Sequence, residues 1–183
     1  MSEKDIAKNV RAILKAVGEN PQRTGLERTP ERVAAMLEDI LSGYKIAESE
    51  VVDGAVIAES GKHDVLVRDI QFYCLCEHHL LPFMGKVSVA YLSTDRIIGL
   101  GRIPKIVHFY ARRLQTQERL TSEIAALLER ILLPDGLAVK IEATHLCAAM
   151  RGDREQGMSL VTWQFSGSYD QPEMKTLFES RTS

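Results

Sequence analysis

Two stretches of this chain crowd thiols and imidazoles together: Cys76-Glu77-His78-His79 and His145-Leu146-Cys147. Thiolate and imidazole are donors that zinc prefers, and a catalytic zinc keeps three protein ligands with one open position for water. Cys76 and His79 are three residues apart, which lets both side chains turn toward one ion from a tight loop, and Cys147 supplies a third ligand from a distant strand. His145 sits two residues before Cys147 and so shares its face on a strand, setting an imidazole beside the metal. His78, adjacent to a ligand but pointing elsewhere, is a second candidate proton carrier. A structural zinc normally takes four protein ligands, and His78 or His145 would complete such a set, so both kinds of metal site are open at this point.

The remaining cysteine, Cys74, reads as a small buried hydrophobe, and His63 and His108 read as surface or packing histidines. Three cysteines are an odd number, and the opening Met1-Ser2-Glu3-Lys4-Asp5 has mixed charge without the apolar core of a secretory signal. A disulfide framework is therefore not expected. Basic residues gather after the first cluster, at Arg102, Lys105, Arg112, Arg113 and Arg119, and Arg151 and Arg154 follow the second. A solvated helix face suits Arg112 and Arg113. Arg102, Lys105 and Arg151 each lie just beyond an apolar strand or beside a cysteine motif, where cations can bind phosphates. Glu118 is either a carboxylate that accepts from the edge of a guanine or an ordinary acid in the first turn of a helix.

These groups need a scaffold. Ile6, Val10, Ile13, Leu14 and Val17 fall at helical spacing, ended by Gly18 and Pro21. Thr29-Pro30-Glu31 reads as an N-cap followed by a first-turn proline and acid, and Val33, Met36, Leu37, Ile40 and Leu41 continue an apolar stripe until Gly43. A helical extension over 1–45 is expected, with the core over 60–183 and the whole chain forming one domain. Val65, Val67 and Ile70, then Lys86 to Tyr91, read as strands; Pro104 to Leu133 reads as two helices, with Ile124, Leu127, Leu128 and Ile131 as the inner stripe of the second. Leu137 to Cys147 and Ser159 to Phe165 return to strand, and Glu173 to Glu179 closes with a short helix. The fold class is α+β: an antiparallel sheet with two helices on one face. Its other face and its two edges need cover, which points to a homo-oligomer.

Composition narrows the function. The 183 residues are 45% hydrophobic, enough for a sizeable core, and 23 Lys+Arg against 25 Asp+Glu leave a net charge of -2. That balance argues against a nucleic-acid coat. No apolar stretch approaches the roughly 18 residues of a membrane span, so a soluble, cytoplasmic protein is expected, with no membrane and no nucleic acid among its partners. A zinc nucleoside deaminase would need His-x-Glu with Pro-Cys-x-x-Cys, and that pair is missing. A non-catalytic, zinc-stabilised binding module is the third class.

Cys76-Glu77-His78-His79, Gln117-Glu118-Arg119-Leu120-Thr121, His145-Leu146-Cys147 and Met150-Arg151-Gly152 together resemble the signature segments of GTP cyclohydrolase I. Thr29-Pro30-Glu31-Arg32-Val33 and Ser42-Gly43-Tyr44 resemble its N-terminal helical segment, so the similarity covers nearly the whole chain. The resemblance implies the tunnelling fold, with sheets that close into a barrel across subunits, commonly in a homodecamer. It implies zinc as cofactor on Cys76, His79 and Cys147, and His78 and His145 as catalytic histidines. It implies Glu118 as the guanine anchor, assisted by Gln117, with Arg32, Arg102, Lys105 and Arg151 toward a triphosphate. The implied reaction opens the imidazole ring of GTP with zinc-activated water, releases formate and recloses to 7,8-dihydroneopterin triphosphate.

The chain also departs from that pattern. Gly101 replaces a usual serine, Ala35 a basic residue and Lys105 an arginine; Asp153 adds a negative charge; and Trp163 fills a position often small, where it is expected to be a core aromatic. The runner-up is accordingly a divergent paralogue that opens the ring of a different purine nucleotide without completing the pterin.

Overall fold

The computed structural model describes residues 2–152 and 154–183. The chain divides into two compact units, Met1–Ser42 and Gly43–Ser183. The first holds helices α1 (Glu3–Ala16) and α2 (Thr29–Ile40). Ser2 caps α1 by accepting from the amide of Asp5 at 3.3 Å, and Arg11 donates to Glu31 at 2.7 Å to tie the two helices. Thr29 is not the N-cap that its sequence suggests. Arg28 holds that position, and the Thr29 hydroxyl donates back to the carbonyl of Gly25 at 3.3 Å, so Pro30 and the first-turn acid Glu31 carry the start signal.

The second unit runs α3 (Glu48–Val52), β1 (Val56–Ala58), β2 (His63–Cys76), β3 (Pro82–Ser93), β4 (Arg96–Ile98), α4 (Arg102–Ala111), β5 (Leu114–Gln115), α5 (Gln117–Leu132), β6 (Gly136–His145), α6 (Leu146–Ala149), β7 (Leu160–Gly167) and α7 (Pro172–Thr182). A five-stranded sheet has the order β5-β2-β3-β6-β7, and β1 and β4 form a separate ribbon. The sheet is not wholly antiparallel: β5, at one edge, runs parallel to β2 through Leu75–Leu114 and Cys76–Gln115. With two residues, β5 has no period to read, and the three-residue β1 and β4 are equally silent in the sequence.

Helices α4 and α5 cover one face of this sheet. Ile103, Ile106 and Val107 of α4 and Leu120, Ile124, Leu127 and Leu128 of α5 are sealed against Phe72, Phe83, Val87, Val89, Val139 and Ile141 of the strands. Burying each large aliphatic side chain stabilises by roughly 1.5–3 kcal/mol. Gly85 lets β3 and β6 approach: a Cβ there would lie 1.9 Å from the carbonyl oxygen of Glu142. On the opposite face, Phe178 of α7 packs with Tyr169, Ala90 and Ala138, and covers only part of it. Tyr73 (69% exposed) and Trp163 (45%) stand open on that face, so Trp163 is not the core aromatic expected from its size. The parity of β7 explains this: Thr162 pairs opposite Ile141 on the helix side, which turns Trp163 the other way. Among the described residues, no helix is long and apolar enough to cross a membrane.

Candidate active site

The central strand β3 assembles the site. Its Phe83 is paired with Cys74 on β2 and with His145 on β6, so the end of β2 and the end of β6 meet across one residue. Cys76 ends β2. A tight turn follows, in which the amide of Leu80 donates to the carbonyl of Cys76 and the amide of Cys76 donates to that of Leu81, both at 2.9 Å, with Leu80 left-handed at φ 53. This turn carries His78 and His79. Cys147 is not on a strand as its alternation suggests: β6 stops at His145, and Cys147 lies on the single helical turn of α6.

The sulfurs of Cys76 and Cys147 and a ring nitrogen of His79 all lie within 4.8 Å of one another. Among the described residues this is the one such cluster of three Cys, His or acidic ligand atoms. Cys76 is buried, Cys147 half-buried and His79 exposed. Burial, and then the neighbouring Cys76 sulfur, push the Cys147 thiol above its ordinary value. Two soft sulfurs side by side, with an imidazole at the same point, suit a divalent cation that offsets thiolate charge. Cys74 is different. Its sulfur donates to the carbonyl of Arg113 at 3.4 Å, and burial pushes its thiol up to about 12, so it stays protonated inside the core.

The turn is braced from outside. Glu77 makes an ion pair with Arg119, which also donates to Gln115 Oε1 at 2.7 Å and to the carbonyl of Leu114 at 3.1 Å. The Arg119 guanidinium holds the Glu77 carboxyl below its ordinary range. His78 is largely exposed, its Nδ1 3.9 Å from the Cys76 sulfur and its Nε2 3.9 Å from Glu77. The far half of the site is braced from inside. His145 stacks on Phe83 at 4.6 Å between centroids and 3° between planes, and its Nε2 is 2.9 Å from Gln117 Oε1. Burial holds the His145 ring below the usual imidazole value, with the Glu118 charge opposing.

Glu118 is exposed in the first turn of α5, whose N-cap Thr116 accepts from the amide of Arg119 at 3.3 Å. Gln117 beside it is 1% exposed, with its side chain enclosed by protein and turned to His145. Arg102 and Lys105 share the first turn of α4. Arg151 donates to His79 Nε2 at 3.0 Å. Arg32 lies on α2 of the first unit, and Asp153 falls outside the described residues. Arg113 does not sit on a solvated face: its guanidinium lies 4.2 Å from the Phe109 ring centroid and donates to the carbonyl of Gly43 at 3.2 Å. Phe83 and the Arg119–Glu77 brace went unread in the sequence, because strand register and helix rotation, not motif spacing, bring them to the site.

The chain is also similar to known proteins over nearly its full length. The family model "GTP cyclohydrolase I" matches residues 6–182. GTP cyclohydrolase 1 of Synechococcus sp. (strain JA-3-3Ab) is 47% identical over 162 residues, covering 88% of this chain and 71% of that protein. The Chlorobaculum tepidum protein of the same name is 48% identical over 160 residues, 87% of this chain and 71% of its own length. That of Bartonella bacilliformis is 45% identical over 171 residues, 92% and 82% of the two chains. Among solved structures, the archaeosine synthase QueF-Like in its apo form aligns over 57% of this chain and 94% of its own at a TM-score of 0.49 and 16% identity, a distant likeness. With the family model spanning nearly the full length and relatives this close, the chain belongs to the GTP cyclohydrolase I family of hydrolytic enzymes.

Proposed function

We propose that this protein opens the imidazole ring of GTP by hydrolysis, releases formate and recloses the product to 7,8-dihydroneopterin triphosphate. The observation that carries the reading is the convergence of Cys76, His79 and Cys147 within 4.8 Å in a chain of this family. These three side chains would hold a zinc ion, which when bound would supply Lewis acidity and lower the pKa of water toward neutral. His145, half-buried and pressed on Phe83, moves protons at the ring being opened, and His78, exposed on the turn, serves as the second proton carrier. Glu118 accepts from the guanine edge. Arg102, Lys105 and Arg151 bind the triphosphate, and Arg32 is assigned to phosphate binding by the family resemblance alone.

The open part of the sheet around Tyr73 and Trp163 supports assembly into a barrel-closing homo-oligomer, a decamer by family resemblance. We assign the protein to the cytoplasm, where free thiols stay reduced. Zinc-loaded protein incubated with GTP is expected to release formate and to give a fluorescent pterin after oxidation. Release of neither product overturns the reading.

One observation favours a second reading, that of a paralogue which opens a purine ring without completing the pterin. Gly101 stands where the family usually has serine, and a Cβ at that position would meet nothing within 4 Å, so crowding does not explain the missing hydroxyl. Formate without pterin, with pterin formation gained in Gly101→Ser, would select this reading.

A further inference from the structure

We infer that the Gln117 side chain is a positioning residue that fixes which nitrogen of His145 carries the proton, leaving Nδ1 as the basic atom. The argument is one of donors and acceptors. Gln117 Nε2 lies 3.0 Å from the carbonyl oxygen of Ile141 on β6 and 2.9 Å from that of Leu160 on β7. Carbonyl oxygens only accept, so the amide nitrogen must face them. Turning the amide over would set its oxygen against two carbonyl oxygens in a buried site, acceptor against acceptor, and take its hydrogens away from both.

The two hydroxyls beside it fix the same orientation independently. Thr121 Oγ1 donates to the backbone carbonyl of Gln117 at 2.8 Å, which uses its one hydrogen. Thr162 Oγ1, 2.7 Å from Thr121 Oγ1, must then donate to it. With its hydrogen directed there, Thr162 presents a lone pair to Gln117 Nε2, 3.1 Å away. Gln117 Nε2 has two hydrogens for its three acceptors, so one is shared between a carbonyl and Thr162, and the direction runs from the Gln117 amide to Thr162, to Thr121 and back to the Gln117 backbone.

With the amide nitrogen fixed, Oε1 is the atom that meets His145 Nε2 at 2.9 Å. An amide oxygen cannot donate, so Nε2 carries the hydrogen. Phe83, parallel to the imidazole at 4.6 Å, holds the plane in which this contact is made. Neutral His145 is therefore the Nε2–H tautomer with its lone pair on Nδ1. When Nδ1 gains a proton, Nε2 still donates to Gln117, so the ring passes through both states without losing its partner. This is the orienting task that a second hydrogen-bond partner performs for a working histidine.

The inference rests on the proposed role of His145, but its central test does not. Zinc-loaded wild-type protein labelled with 15N-histidine, with His145 assigned by the signal lost in His145→Asn, is expected to show the Nε2–H tautomer. An Nδ1–H tautomer overturns the inference with no variant needed. Gln117→Leu is expected to lose the single tautomer and to lower kcat roughly 10- to 100-fold, with KM for GTP changed less than kcat and zinc content retained. Gln117→Glu, buried as the neutral acid, keeps an acceptor for Nε2 and is expected to restore the tautomer. Full kcat and an unaltered tautomer in Gln117→Leu would also overturn it. If wild-type protein releases no formate while His145 is Nε2–H, the functional reading fails and the placement of Gln117 stands.

Discussion

The two halves of the candidate site are built on opposite principles. The Cys76–His79 half runs from a buried strand end into an exposed turn braced by charge: Cys76 is in the core, Glu77 sits on Arg119, His78 and His79 are exposed, and Leu80 is left-handed. The His145–Cys147 half grows out of the sheet and is held by burial, with Phe83 beneath the ring and Gln117, Thr121 and Thr162 behind it. A braced turn can be adjusted by solvent and salt, because exposed ion pairs are screened. A closed hydrogen-bond ring in the core is set once, on folding. Ligand geometry is thus adjustable on one side and fixed on the other.

The largest effects should come where the halves share one task. Cys76→Ala and Cys147→Ala are both expected to abolish bound zinc, measured by metal analysis, and to bring formate release to background. If either retains full zinc, the halves do not share an ion. Next come the histidines, where the comparison should become unequal. His145→Ala is expected to lower kcat for formate release by roughly 10²- to 10⁴-fold, and His78→Ala by less, because only the first is held in a fixed pose. Equal losses would remove the distinction.

Arg119→Ala tests the brace. It should weaken zinc affinity by roughly 10- to 100-fold while leaving the His145 NMR signals in place, and a shift in those signals would mean that the two halves are coupled. The smallest effect lies outside both. His108 on α4 is held below the usual imidazole value by burial, and then by Arg112. Its stabilising contribution is present above an unfolded pKa of about 6.5 and is lost as pH falls through the lower folded value. Replacing it with glutamine should flatten the acid side of the Tm–pH curve by no more than about 4 °C.

The same contrast marks what the sequence could reveal. The Cys76, His79 and Cys147 cluster, the two helices behind the sheet and the strand-strand-helix-helix-strand-strand order are legible because they rest on residue type and period, which are local. Gln117 was readable only as a neighbour of Glu118, since its contacts depend on how β6 and β7 bring Ile141, Leu160 and Thr162 beneath α5. Cys147 looked like a strand residue because alternation from Val139 to His145 runs straight into it, and nothing in Leu146-Cys147-Ala148-Ala149 announces a single helical turn. Trp163 was judged by size when parity decided its exposure.

The contact between Arg151 and His79 has its own consequence. A neutral imidazole offers one lone pair, and a guanidinium has none to give back. The guanidinium therefore donates to the ring and stands directly beside the Cys76–His79–Cys147 cluster. The same arginine is one of the cations proposed for the triphosphate, so a single side chain spans from the sulfur-imidazole cluster to the place of the phosphates, and its loss should be felt at both.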